Sequence, residues 1–475
     1  MMPSLAWHAE EMTIIEFHKL LRIDPSIGPE LVKRYLEAIA QHDGTLKALI
    51  TINSDAIKIA RDKAIETSAF NKRDKPFPLL HSVPIILKDN LSTSDLPTSA
   101  GVKALQNLYT KDDSEVVSRL RAAGAIILAK SNLHEFALQG ISLSSLGGQT
   151  LNPYDLTRTP GDPQAGQAQR WPRTSALPDD TAGPMGRSVG DVRALYRVMK
   201  EPVGASEGLV EDVSATKRQP GRQIRIGVLE AYFQPEIHGD IGANTETEYL
   251  TENQTVQDIV RTSLSLIQQR EEDIVLVSIP PSSHPDWSSE TLLIKADTQA
   301  FEFKDCLNEF LQLPLISSTP HRTLGSIAQS GEFDPTAMTD VFFASLRDPE
   351  TFSTTSEAYR SRLEHITILK ESVRQCFDDF DIDALVYPHQ RQLPVKIGAK
   401  KQSGRNGILA ALTGRPAICI PAGWSPRTES AVLGLPVGME LMGRRWKDDE
   451  LLDLAERIES VLKGRREPAL IWGSR

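Results

Sequence analysis

The chain has 475 residues, 40% hydrophobic and 24% charged, which is long enough for a large buried core and excludes a natively disordered protein. A net charge of -10 and a pI near 5.6 exclude a surface built to grip nucleic-acid phosphates. Cys306, Cys376 and Cys419 follow no metal or redox spacing, so no metal or cofactor is expected and neutral thiols are the default reading.

Thr13-Ile14-Ile15-Glu16 has capping-box spacing and predicts a helix start. Leu31, Val32, Tyr35, Leu36 and Ile39 recur at helical spacing toward a stop near Gly44, and Ile57, Ala60, Ala64 and Ile65 mark a third helix. These three read as packing elements. The run Ser82-Val83-Pro84-Ile85-Ile86-Leu87-Lys88-Asp89-Asn90 then sets a short apolar strand, read as buried on both faces, against an abrupt polar end. Lys88 stands at that end, at the rim of the core. A partly desolvated lysine loses some preference for its charged form and can act as a general base. A surface Lys-Asp pair explains these residues equally well.

Asp113 to Leu120 predicts a helix that Gly124 ends, and Ala125 to Leu128 the strand after it, a helix-to-strand unit of an α/β sheet. His134 and Glu135 follow without a second histidine at ligand spacing, so a polar packing role is expected. Lys130 is a possible second base. Arg187 to Met199 reads as a helix, Pro202 to Arg222 as a loop, and Ile224 to Leu229 as a strand. Phe233 to Asn253 reads as a long polar excursion before an amphipathic helix from Thr255 to Arg270 and a strand from Ile274 to Ile279. Phe301 to Leu311 and Arg360 to Phe380 predict helices flanking a loop-rich stretch. Asp383-Ala384-Leu385-Val386-Tyr387-Pro388, Ala417 to Ala422 and Leu435 to Gly443 read as core strands, and Asp448 to Leu462 as a closing amphipathic helix. The basic clusters at Arg444 to Lys447 and Lys463 to Arg466 read as solvated helix ends. No apolar run is long enough to span a bilayer, and the start lacks a basic segment followed by an apolar one, so the cytoplasm is the expected location.

From Leu79 to Asp191 the pieces fall in a telling order: Leu80 to Asn90, Pro97-Thr98-Ser99-Ala100-Gly101, Leu120 to Phe136, Gly147 to Asp155, and Asp180-Thr181-Ala182-Gly183-Pro184-Met185. In that order they resemble the amidase signature family, and the stretches from Asp383, Gly414 and Leu435 resemble its C-terminal part. The family cleaves carboxylic amide C–N bonds with a serine, a second serine in a cis peptide, and a lysine. The resemblance implies that Lys88 is the catalytic triad lysine, the general base, and that Lys130 is not. It implies an α/β fold with a large central mixed β-sheet covered by helices and a small-molecule amide as substrate. It also implies one amidase-like domain over 1–475, with an N-terminal helical wrap at 1–75, a family-matching core at 79–199 and 383–462, and a variable region at 204–380.

One piece is absent. Between Asn152-Pro153-Tyr154 and Asp180 the family carries a Gly-Ser-Ser-Gly-Gly run, several dozen further residues and both catalytic serines. Here only a linker joins the flanks, Pro160-Gly161-Asp162-Pro163-Gln164-Ala165-Gly166-Gln167-Ala168-Gln169-Arg170-Trp171-Pro172-Arg173-Thr174-Ser175. One nucleotide string that encodes Gly161 to Ser175 also encodes Gly-Ser-Ser-Gly-Gly-Thr-Gly-Ala-Ala-Val-Ala-Ala-Asn-Phe when read from its third base. The expectation is therefore a frame or splice boundary displaced at Gly161 and recovered before Asp180.

Three readings follow. The first is an amidase by ancestry, inactive because both serines are missing, with part of the central sheet deleted and apolar faces uncovered. The second is a binding or regulatory protein that keeps the amide pocket without chemistry. The third relocates the nucleophile to Ser99, Ser145, Ser175 or Ser188, of which Ser145, just before Gly147-Gly148, is the least poor.

Overall fold

The computed structural model of the protein describes residues 12–161, 182–200, 222–235, 245–338 and 340–468. The linker after Gly161, with Ser175, Asp180 and Thr181, lies outside them, as do most of the predicted loop from Pro202 and half of the polar excursion.

Helices α1 (Ile14–Ile23) and α2 (Ile27–Leu46), strand β1 (Leu49–Ile52) and helix α3 (Ala56–Lys72) open the chain. The Thr13 hydroxyl accepts the Glu16 N–H while the Glu16 carboxylate accepts the Thr13 N–H, the expected capping box. Gly44 does not end α2. The helix runs on to bury Leu46, and Lys47 takes the left-handed cap at φ 51°.

Next come β2 (Pro84–Lys88), the two-residue β3 (Tyr109–Thr110), α4 (Glu115–Ala122), β4 (Ile126–Ser131) and the ribbon strands β5 (Leu143–Ser144) and β6 (Gly148–Gln149). The turn between α4 and β4 is fixed by Gly124. It has φ +93°, and an added Cβ would lie 2.8 Å from the His81 Cα. Then follow α5 (Val189–Lys200), β7 (Ile224–Leu229), α6 (Glu246–Arg270) and β8 (Ile274–Ile279). The polar excursion is thus shorter than expected. A second capping box, Thr245 with Glu248, starts α6 two turns early, and Tyr249 and Asn253 are buried inside it.

The middle region carries α7 (Ser289–Ala296), α8 (Gln299–Gln312), β9 (Ile316–Ser318), α9 (Leu324–Ser330), α10 (Asp340–Arg347) and α11 (Glu357–Asp379), so the loop-rich stretch holds two further helices. The chain closes with β10 (Ala384–Pro388), α12 (Ile408–Thr413), β11 (Ala417–Trp424), β12 (Pro436–Gly443) and α13 (Asp448–Leu462).

The strands form two mixed sheets rather than one. β1-β4-β2 is three-stranded, with β2 parallel and β1 antiparallel to β4. β11-β12-β10-β7-β8 is five-stranded, with β7, β8 and β10 parallel and β12 antiparallel to both its neighbours. Helix α5 joins them. Its Val189, Val192 and Tyr196 pack into the apolar core of the larger sheet, with α6 and α13. Ala194, Leu195 and Val198 pack into the core formed by α1, β2, α4 and β4. Polar contacts reinforce this seam: Asp191 accepts the Ile14 N–H at the start of α1 at 2.9 Å, and Arg193 donates to Asp453 of α13 at 2.8 Å. Among the described residues, no helix is long and apolar enough to cross a membrane.

Candidate active site

β2 does not have both faces buried. It is the outer strand of its sheet, and Ile86 is 47% exposed while Leu87 is 3% exposed. Its free flank opens on a cavity of about 700 Å³ whose wall includes every residue from Val83 to Lys88. Side chains alternate faces along a strand, so six consecutive residues share one cavity only where it runs beside the strand edge. α1, α2 and α5 contribute Phe17, Tyr35 and Leu195 to an apolar lining, into which Lys88, Arg187 and Tyr154 bring polar groups. Lys88 is half-buried, at the C-terminal end of β2 where the sequence placed it.

None of the described residues in this wall is a serine or a cysteine. The serines weighed as substitutes are engaged elsewhere. Ser99 is buried and its hydroxyl donates to Asp89. Ser145 accepts the Lys103 N–H at 2.9 Å, and Ser188 accepts the Asp191 N–H at 3.1 Å in the first turn of α5. Cys376 is buried, and that burial pushes its thiol up to about 12, so it is neutral as expected. Cys419, on β11, is exposed.

Behind β2 lies a polar network that sequence reasoning missed. Lys130, on β4, is fully buried and donates to the Leu91 and Pro97 carbonyls at 2.8 and 3.1 Å and to the Thr98 hydroxyl at 3.1 Å. Its ammonium stands 3.9 Å from the buried Asp89 carboxylate, which also accepts the Ser99 N–H at 3.0 Å. Burial lowers the Lys130 pKa to about 8 against the opposing pull of Asp89, and burial raises the Asp89 pKa against the pull of Lys130. These contacts fix the loop leaving Lys88, and they occupy Lys130 in structure rather than chemistry. The signal in the sequence was a lysine inside an otherwise apolar strand, which calls for partners.

His134 and Glu135 also serve packing. The His134 Nε2 lies 2.7 Å from the Ala337 carbonyl, and the buried Glu135 carboxylate accepts the Ser145 and Asp334 N–H groups at 2.6 and 3.1 Å. Burial pushes the Glu135 carboxyl up to about 7 against those hydrogen bonds. No cluster of three or more metal-ligating side chains occurs among the described residues.

The model of the family described as Amidase matches residues 30–170 and again 163–452. The chain belongs to the amidase family. Similar amidase-family proteins include a glutamyl-tRNA(Gln) amidotransferase subunit of Thermoanaerobacter pseudethanolicus, 26% identical over 98% of this chain and 99% of that one. Its namesake from Symbiobacterium thermophilum is also 26% identical, over 91% and 93%. Among solved structures, the native peptide amidase of Stenotrophomonas maltophilia matches with a TM-score of 0.71 and 23% identity, covering 96% of this chain and 98% of that one. A bacterial aryl acylamidase of the amidase signature family matches with a TM-score of 0.69 and 17% identity, covering 98% and 99%. These structures share the α/β fold expected from the resemblance. The amidase match does not run through unbroken: it stops and restarts within residues 163–170.

Proposed function

We infer that this protein is an interrupted amide hydrolase, in which Lys88 is the triad base and both serine partners are missing, so that the chain as it stands does not cleave C–N bonds. The observation that carries this reading is the break in the family match within 163–170, between two flanks that both belong to the wall around Lys88, Tyr154 and Ala182. The length of the Thermoanaerobacter comparison supports it. Its 512 aligned positions against 475 residues leave at least 37 without a counterpart here. The lack of any serine in the described wall agrees.

The chemistry explains why the interruption matters. Amide hydrolysis needs a nucleophile, a base within hydrogen-bond reach, and donors for the oxyanion. In a complete site the neutral Lys88 amine takes a proton relayed from the attacking serine hydroxyl. The serine oxygen bonds to the carbonyl carbon, the C–N bond breaks as the leaving amine gains a proton, and water releases the acid. Lys88 without its serines can accept a proton but has no nucleophile to activate.

The test restores, between Gly161 and Ala182, the corresponding segment of the Thermoanaerobacter relative and follows ammonia release from aliphatic, aromatic and peptide amides. The repaired protein is expected to hydrolyse at least one class, and Lys88→Ala in it to abolish turnover. Hydrolysis by the unrepaired chain, or turnover surviving Lys88→Ala, sinks the reading. Sequencing the gene and its transcript across Thr159 to Met185 separates a displaced frame from a true loss.

A second reading, a non-catalytic binding protein, is favoured by one observation: the cavity beside Lys88 is formed without the missing residues. It predicts saturable binding of an amide without turnover in the repaired protein too.

A further inference from the structure

The edge of β2 is built to take one more strand. The Ile126 N–H donates to the Val83 carbonyl, and the Asp89 N–H donates to the Ser131 carbonyl, so the odd-numbered peptide groups of this stretch turn toward β4. Peptide groups alternate sides along a strand, so Ile86 turns its N–H and C=O to the open flank. That flank is the cavity. Its size fits a strand: five residues, the length of β2, at 3.3 Å rise, 4.8 Å strand spacing and about 10 Å of sheet thickness, fill a slab of about 800 Å³, against the 700 Å³ observed. An open strand edge is a template for pairing with another segment.

The surroundings say which segment. Tyr154 and Ala182, the flanks of the interrupted family match, both stand in the cavity wall. Tyr154 packs edge-on against Trp424 at the end of β11, the outer strand of the larger sheet, with ring centroids 5.0 Å apart. The cavity therefore reaches from the free edge of one sheet toward the free-edge strand of the other. Its apolar lining favours uncharged, mostly apolar residues.

We propose that the β2 cavity binds, in trans, an extended stretch of about five apolar residues from the amidase segment this chain lacks, and that the bound stretch pairs with Ile86 as an added strand. The proposal rests on the interrupted-amidase reading for the identity of the occupant.

The experiment uses the full chain with short overlapping synthetic peptides that tile the Thermoanaerobacter segment corresponding to the gap between Tyr154 and Ala182. Binding is followed by amide hydrogen exchange. One apolar peptide is expected to bind saturably and slow exchange at the Ile86 N–H by about tenfold or more. Ile86→Pro, at an exposed edge position whose N–H points away from the sheet, should leave the fold intact and abolish that binding. Binding that leaves Ile86 exchange unchanged overturns the proposal, as does binding that survives Ile86→Pro. If no peptide binds while the protein repaired in cis hydrolyses amides, the docking proposal fails and the functional reading stands. If a peptide protects Ile86 but the repaired protein is inactive, the docking stands and the functional reading fails.

Discussion

Replacing Lys130 by Met tests whether the loop after Lys88 is held by a buried charge. The side chains have similar volume, so the change removes the ammonium and little packing. Three oxygen acceptors, Leu91 O, Pro97 O and Thr98 Oγ1, lose a donor within 2.8 to 3.1 Å, and Asp89 loses its counter-ion at 3.9 Å while keeping the Ser99 and Gly101 N–H groups. Breaking a buried pair by removing one partner costs about 3–5 kcal/mol, a large part of a net stability of about 5–15 kcal/mol. Urea unfolding should show the midpoint falling with little change in slope. The double variant Lys130→Met with Asp89→Asn separates two causes. If the stranded charge dominates, the second substitution recovers about 1 kcal/mol or more. If losing the loop carbonyls' donor dominates, it recovers nothing. A single variant within about 1 kcal/mol of the parent would refute the view that this network organises the β2 end.

Three smaller tests use other parts of the fold. Gly124→Ala should destabilise the α4-to-β4 turn by about 1 kcal/mol or more, because the residue sits at φ +93° and the new Cβ meets the His81 Cα at 2.8 Å; a thermal melt unchanged from the parent would contradict this. Thr13→Ala should cost about 1 kcal/mol by removing the capping box of α1, seen as a lower urea midpoint, whereas Thr13→Ser should be nearly neutral. Glu135 has its folded pKa raised from 4.5 to about 7 by burial, so between those values the folded state holds a proton that the unfolded state has released. Its contribution is full below pH 4.5 and is lost as pH rises through 7, at up to about 1.4 kcal/mol per pH unit. Glu135→Gln should flatten that part of the stability profile, and an unchanged slope in urea titrations across pH 4.5 to 7 would refute the assignment.

Periodic and punctuated stretches were legible in the sequence. Thr13 to Glu16, Gly124, Ile224 to Leu229, Ile274 to Ile279 and Asp448 to Leu462 carried local signals that the packing did not override. The failures came where tertiary burial outweighed a local cue. Gly44 reads as a helix stop, but burial of Leu46 extends α2 past it, and the polar start of α6 hides two buried residues, Tyr249 and Asn253, at helical spacing. Lys88 was legible as a strand-end lysine, yet the apolar run before it could not reveal that one flank of β2 has no neighbouring strand. That is a property of what stands beside the strand, not of the strand itself. The same limit hid the Lys130 network, because Asp89, Ser99 and Lys130 come together only once β2 and β4 pair in parallel and the loop from Leu91 to Thr98 folds over the ammonium. The open edge and the engaged second lysine bear on one question. The base is held in place by elements encoded entirely within the matching core, so the chain retains the support for its lysine while lacking the serines that give it work. Restoring the segment, in cis for chemistry or in trans for pairing, therefore acts on a site whose remaining half is already formed.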